Sequence, residues 1–183
     1  MLIKSTLLIE CGSRKDGNGA YLADMIVEKY ANENVKRVNL RDLRYSGCLA
    51  CRKCKDQDSL CVQRDDLTPL FAGLAEVDRL VLIAPNYMGF VNGDTKQFTD
   101  RWYCMKDTRK ISRFKEGAKL LFLFTQGSAL RDHGDNAQHW MKRIADSYSL
   151  GFYGITVPNC AYDNHDGVRL KKEEIMMSIS FFG

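Results

Sequence analysis

Four thiols crowd a short stretch of this chain: Cys48, Cys51, Cys54 and Cys61, spaced C-x2-C-x2-C-x6-C. Soft thiolates so close in sequence suit an iron-sulfur cluster, because a loop that wraps a compact cluster needs ligands only a few residues apart. Tetrahedral zinc also accepts four thiolates, and free or redox-active thiols are a third reading. Arg44, Arg52, Lys53 and Lys55 flank the cysteines and favour thiolate ligands; such cations are equally ordinary on a surface loop. Of the other cysteines, Cys11 and Cys104 read as small buried residues. Cys160 is open between burial and function.

A second constellation is the segment GSRKDGNGA at residues 12–20. Its glycines let backbone N–H groups turn inward, and Ser13 and Asn18 add polar donors. The helix expected to follow points its positive end at an anion, and Arg14 and Lys15 add charge. Gly12 and Gly17 have the spacing of a Walker A loop, but Asn18-Gly19 stands where Lys-Ser/Thr is required. No G-x-G-x-x-G follows the strand, so the dinucleotide fingerprint is absent as well. What remains suits the phosphate of a mononucleotide; the alternative is a plain polar turn with a helix cap. A third segment, Pro85-Asn86-Tyr87-Met88-Gly89, offers an aromatic wall and backbone donors, although Tyr87 alone would read as an aromatic capping the core. His133, His139 and His165 show no ligand pairing. Asp65-Asp66 reads as a helix cap, and Asp100-Arg101 as a structural ion pair or subunit contact.

These residues need a scaffold. Short apolar strands are expected at residues 2–10, 35–40, 78–84, 118–125 and 152–157, the third stopping at Pro85. Helices are expected at residues 18–31, from 65 or 66 to about 75, and at 96–105, 131–148 and 171–181. Alternating strands and helices, with continuously apolar strands, imply a parallel sheet covered on both faces. The expected fold is α/β: a flavodoxin-like three-layer α/β/α sandwich with a five-stranded parallel sheet in the order 2-1-3-4-5. Ligands in such folds bind beyond the carboxyl ends of the strands, which selects the loops at residues 11–19, 85–93 and 125–135.

With 183 residues, 45% hydrophobic and 27% charged, one domain spanning 1–183 is expected, with a cysteine-rich insert at about 46–64. The net charge of +4 is modest and its cations are scattered, which argues against nucleic acid. Apolar runs such as residues 120–124 are far too short to span a bilayer. No export leader is read at the start, so a cytoplasmic location is expected. Seven cysteines then point to metal, redox chemistry or burial rather than a disulfide framework.

Four pieces, in order, resemble one family: the NADPH-dependent FMN reductases and iron-sulfur flavoproteins of the flavodoxin-like superfamily. They are the loop GSRKDGNG, the stretch CLACRKCKDQDSLCVQRDD at 48–66, the strand end APNYMG at 84–89, and KQFTDR at 96–101. The family loop reads G-S-P-R-K-x-G-N-T. Here it is one residue shorter and lacks the proline, and Gly19 stands where a hydroxyl residue is usual. The tail past Gly167 is short for the family.

The resemblance implies an FMN-dependent oxidoreductase passing electrons from NAD(P)H to a quinone, a flavin or a nitroaromatic. The alternative is an iron-sulfur flavoprotein exchanging single electrons with a ferredoxin-like partner; a non-redox binding module is a third possibility. By resemblance Ser13, Asn18, Gly19 and Ala20 hold the FMN phosphate, with Arg14 or Lys15 closing over it. Pro85, Asn86, Tyr87, Met88 and Gly89 line the flavin ring and ribityl chain, and Thr125, Gln126 and Gly127 approach the ring. Cys48, Cys51, Cys54 and Cys61 would ligate a [4Fe-4S] cluster. Relatives form homodimers or homotetramers, and the aromatic and basic segment 101–114 is the expected subunit surface.

Overall fold

The computed structural model describes residues 4–161 and 165–182; Leu2 and Ile3, expected in the first strand, lie outside them. Among the described residues six strands form: β1 (Ser5–Glu10), β2 (Asn34–Asn39), β3 (Arg79–Tyr87), β4 (Phe90–Val91), β5 (Lys119–Thr125) and β6 (Gly151–Val157). Five of them make a parallel sheet in the order β2-β1-β3-β5-β6, which is the expected doubly wound arrangement. The sixth, β4, is a short antiparallel addition to the end of β3.

Period-two alternation sorts the strand residues onto two faces. Leu7, Ile9, Leu80, Leu82, Leu120, Phe122 and Phe124 join one core, against Phe71 of α3 (Thr68–Leu74), Phe98 of α4 (Gly93–Asp100) and Met141 of α5 (Asp135–Ser147). Leu8, Val81, Ile83, Leu121 and Leu123 join the other, against Leu22 and Ile26 of α1 (Asn18–Lys29) and Ile175 and Ile179 of α7 (Lys172–Phe182). Each such fully buried side chain contributes on the order of 2 kcal/mol, which is why the central strands read as unbroken apolar runs.

Several boundaries differ from the sequence reading, among them the helix expected at 96–105, which is α4 followed by a 3-10 turn, Arg101–Met105. β3 does not stop at Pro85 but runs on to Tyr87. The amide of Cys11 donates to the Ile83 carbonyl at 2.9 Å, so Ile83 faces β1. Residue 85 therefore faces the same way, beyond the end of β1, where no partner needs its missing N–H. The helix expected from residue 131 opens as a 3-10 turn, Arg131–Gly134, before α5. The acid pair divides its roles at the start of α3, which begins at Thr68 with proline in its first turn: the Asp65 carboxylate accepts the Leu67 N–H at 3.1 Å, at the helix entrance, and the Asp66 carboxylate accepts the Arg44 N–H at 2.7 Å. A short helix α2 (Lys53–Asp56) inside the cysteine segment and a second, α6 (Asp166–Leu170), were not anticipated. Among the described residues no helix is long and apolar enough to cross a membrane.

Candidate functional site

The chain crosses from β1 to β2 on one side and returns to β3 on the other, so the order reverses between β1 and β3. A cleft of about 340 Å³ opens at the carboxyl ends of the strands there. The first loop lines it with Ser13, Arg14, Asn18, Gly19 and Ala20, joined by Pro85, Asn86 and Tyr87, and by Thr125, Gln126 and Gly127. The structure thus brings together eleven of the fourteen residues selected for a flavin. The other three, Lys15, Met88 and Gly89, lie outside the lining. Lys15 is exposed. Met88 and Gly89 form the two-residue turn from β3 to β4, with positive φ at both positions (54° and 80°).

The first loop is built to present amides. Its last residue, Gly17, is the extended N-cap of α1, with no side-chain cap and no acid in the first turn. The first helical bond is Tyr21 N–H to the Gly17 carbonyl at 3.1 Å. Helix geometry leaves the N–H groups of Gly19 and Ala20 without an intrahelical acceptor, at the positive end of the macrodipole. A β-carbon at Gly17 would come within 3.1 Å of the Arg14 β-carbon, so the chain folds back tightly there. At Gly19 it would meet only the Ile83 Cγ2, at 3.5 Å.

The cleft also contains Gly12 and Gly17 of the first loop, together with residues that the sequence did not assign to it: Ile83 from β3, and Cys160 and Ala161 from a fourth loop, after β6. That loop is tied to α1: the Asn18 side-chain amide donates to the Cys160 carbonyl at 3.4 Å, and the Asn18 Oδ1 lies 3.4 Å from His165 Nδ1. The His165 ring stacks on Tyr21 of α1, with ring centroids 4.6 Å apart. Glu10 is the least expected member. Only 1% exposed, it sits 2.5 Å from the Arg37 Nε and 3.7 Å from the Arg41 Nη1. In the third loop Gln126 donates to the carbonyls of Ser128 (3.2 Å) and Leu130 (2.5 Å), while its buried Oε1 has no hydrogen-bond partner. That oxygen lies beside Gly134, where an added β-carbon would come within 3.1 Å of it.

A second, smaller crevice is lined by Cys48, Cys51, Cys54 and Cys61, together with Cys104 and Arg101. All of these cysteines are free. Among the described residues no three His, Cys, Asp or Glu side chains converge to hold a metal ion, so the ligand set expected from the spacing is gathered but not closed. Protein contacts hold this loop. Lys55 donates to the carbonyls of Tyr103 and Lys106, and fully buried Arg101 pairs with Asp65 and donates to the Ser46 carbonyl at 3.2 Å. The Arg101 Nε and Nη2 are buried without hydrogen-bond partners. Burial pushes the Cys104 thiol up to about 11 and the thiols of Cys11 and Cys160 up to about 12, so all three stay protonated near neutrality. In the segment expected as a subunit surface, Trp102, Met105 and Phe114 are core residues, while Tyr103 and residues 108–111 are exposed.

Residues 5–163 match the family described as NADPH-dependent FMN reductase. The chain belongs to that family. Curated relatives of this FMN reductase family member include an iron-sulfur flavoprotein of Archaeoglobus fulgidus, 31% identical over 97 residues, covering 52% of this chain and 47% of the relative. Another, from Methanosarcina thermophila, is 33% identical over 73 residues, 40% of this chain and 38% of the relative. The chain thus spans less than half the length of these curated relatives. Among solved structures, an FMN-dependent NADH-azoreductase from Bacillus anthracis in complex with FMN superposes with a TM-score of 0.73 at 12% identity, covering 98% of this chain and 100% of that one. An NAD(P)H:quinone oxidoreductase from Methanothermobacter marburgensis gives 0.73 at 10% identity, covering 97% and 96%. At such identities the likeness establishes the shared flavodoxin-like fold.

Proposed function

We propose that this FMN reductase family member binds FMN in the cleft between β1 and β3 and passes electrons from NAD(P)H to a small acceptor such as a quinone, a flavin or a nitroaromatic. The observation that carries the reading is the uncapped start of α1, its amides opening into a cleft of about 340 Å³. The N–H groups of Gly19 and Ala20, with Ser13, Asn18 and the Arg14 charge, hold the phosphate. Pro85, Asn86 and Tyr87 wall the ring on one side, and Thr125, Gln126 and Gly127 on the other. FMN held there would supply the two-electron chemistry between a nicotinamide donor and the acceptor. The protein binds, orients and stabilises; it needs no dedicated acid or base. Half-exposed Tyr87 leaves one side of the cleft open to an incoming aromatic. The test is titration of purified protein with FMN by fluorescence quenching, followed by NAD(P)H oxidation with a quinone acceptor. Stoichiometric quenching with flavin-dependent turnover is expected. Absence of FMN binding overturns the reading.

The thiol crevice supports a second redox centre. Four cysteines line one small space beside the buried Arg101 guanidinium, and a cluster spreads its thiolates more widely than a single ion does. In this reading Cys48, Cys51, Cys54 and Cys61 hold a [4Fe-4S] cluster, and a ferredoxin-like protein exchanges electrons with it. Anaerobic reconstitution should give about four iron and four sulfide per chain. Failure to retain iron and sulfide after desalting refutes this second centre and leaves the first untouched.

A further inference from the structure

A nest that turns its N–H groups toward an anion must turn carbonyls away from it. Behind the first loop those carbonyls meet Arg41. Its Nη1 lies 3.4 Å from the Gly12 carbonyl and 3.4 Å from the Arg14 carbonyl, and 3.7 Å from the Oε2 of Glu10. Arg41 reaches this position because Asn39, which ends β2, pairs with Glu10, which ends β1, and the chain then enters the turn Leu40–Asp42. Its side chain is 14% exposed, and its Nε, 3.9 Å from the Asp42 carboxylate, makes no hydrogen bond. Glu10 itself presents a difficulty: a buried carboxylate lines the cleft that is to take a phosphate, and like charges in a dry site repel strongly. Arg37 bonds one oxygen and reaches across to Asp24 on α1, and Arg41 faces the other.

We propose that Arg41 is a positioning residue that makes the cleft selective for the phosphate end of its flavin, by clasping the outward carbonyls of the first loop and cancelling the charge of Glu10. A planar guanidinium suits this work, since its fork serves several oxygens at once and never loses its charge. The inference rests on the proposed flavin site, and a ligand pair separates the two. FMN carries the phosphate and riboflavin does not, while both carry the ring.

Arg41→Met is expected to raise the FMN Kd at least tenfold while leaving the riboflavin Kd within twofold of the parent. Equal losses for both ligands, or no loss for either, overturn the proposal. Should Arg41→Met fail to fold because Glu10 is left half-paired, the double variant Arg41→Met/Glu10→Gln removes that buried charge. It is expected to keep a threefold or larger loss confined to FMN, and an unchanged ratio of the two Kd values overturns the proposal. If the parent protein binds neither flavin, it is the proposed function that has failed.

Discussion

Gly19 stands where the family's loop usually has a hydroxyl, and the structure shows room to restore one. A β-carbon there meets a single atom, the Ile83 Cγ2 at an ordinary 3.5 Å, and the backbone is helical. Gly19→Ser therefore adds a donor in the first turn of α1 without displacing anything. A hydrogen bond to a charged group contributes about 1.5–3 kcal/mol. Part is lost because the serine hydroxyl must leave water and surrender its rotamers. A net gain of about 1 kcal/mol is expected, a five- to tenfold fall in the FMN Kd. Relief of glycine's helix penalty adds roughly 0.5 kcal/mol to the fold, or about 1–2 °C in Tm for a chain of this size. Fluorescence titration with FMN and riboflavin, beside a thermal melt, reads all three quantities. An FMN Kd that stays put or rises in a folded variant refutes the reasoning, and so does an equal gain for riboflavin, which would place the new contact away from the phosphate.

Other consequences are equally open to measurement. Gly167→Ala puts a β-carbon 2.1 Å from the Pro158 carbonyl oxygen, a backbone atom that cannot rotate aside; a loss of about 3 kcal/mol is expected by denaturant unfolding. The Lys115 ammonium and the Ser5 backbone N–H hold the Asp78 carboxyl down to about 2. Because that folded value is depressed, the stability it contributes is complete above the unfolded value near 4 and is lost as pH falls toward 2. Asp78→Asn should cost about 1–2 kcal/mol at pH 7 and flatten the stability profile between pH 4 and 2. Arg101→Met removes the partner of Asp65 and the anchor at the Ser46 carbonyl. It should destabilise by about 3 kcal/mol and speed labelling of Cys61 and Cys104 by a thiol reagent severalfold, read by mass spectrometry.

The layered fold was legible because the strongest local signals agree with the tertiary ones. Unbroken apolar runs such as those of β3 and β5 can only be strands buried on both sides, and glycine-rich loops after strands mark the carboxyl ends. Pro85 misled for a reason of context: proline ends a strand only where its N–H is needed, and β1 has already ended beside it. Glu10, Cys160 and Arg41 were illegible because nothing nearby in sequence marks them. Glu10 alternates into the strand pattern like any polar residue, Cys160 belongs to a fourth loop reached through β6, and Arg41 gains meaning only from the β1–β2 register. Trp102 and Phe114 were not legible as core, since their aromatic and basic segment looks like surface until the core packs against those two rings.

The overshoot of β3 past the end of β1 has an architectural consequence. Its last residues and β4 form a small projecting hairpin whose tip, Met88, is fully exposed. Its turn requires only two residues that tolerate positive φ. Below the tip, Phe90 packs edge-on against Trp140 and Val91 is buried in the core, so the hairpin's base is anchored while the two turn residues at its tip can be exchanged. Selection, natural or in the laboratory, can retune which molecules approach the cleft while the folding free energy of the sheet stays where it is.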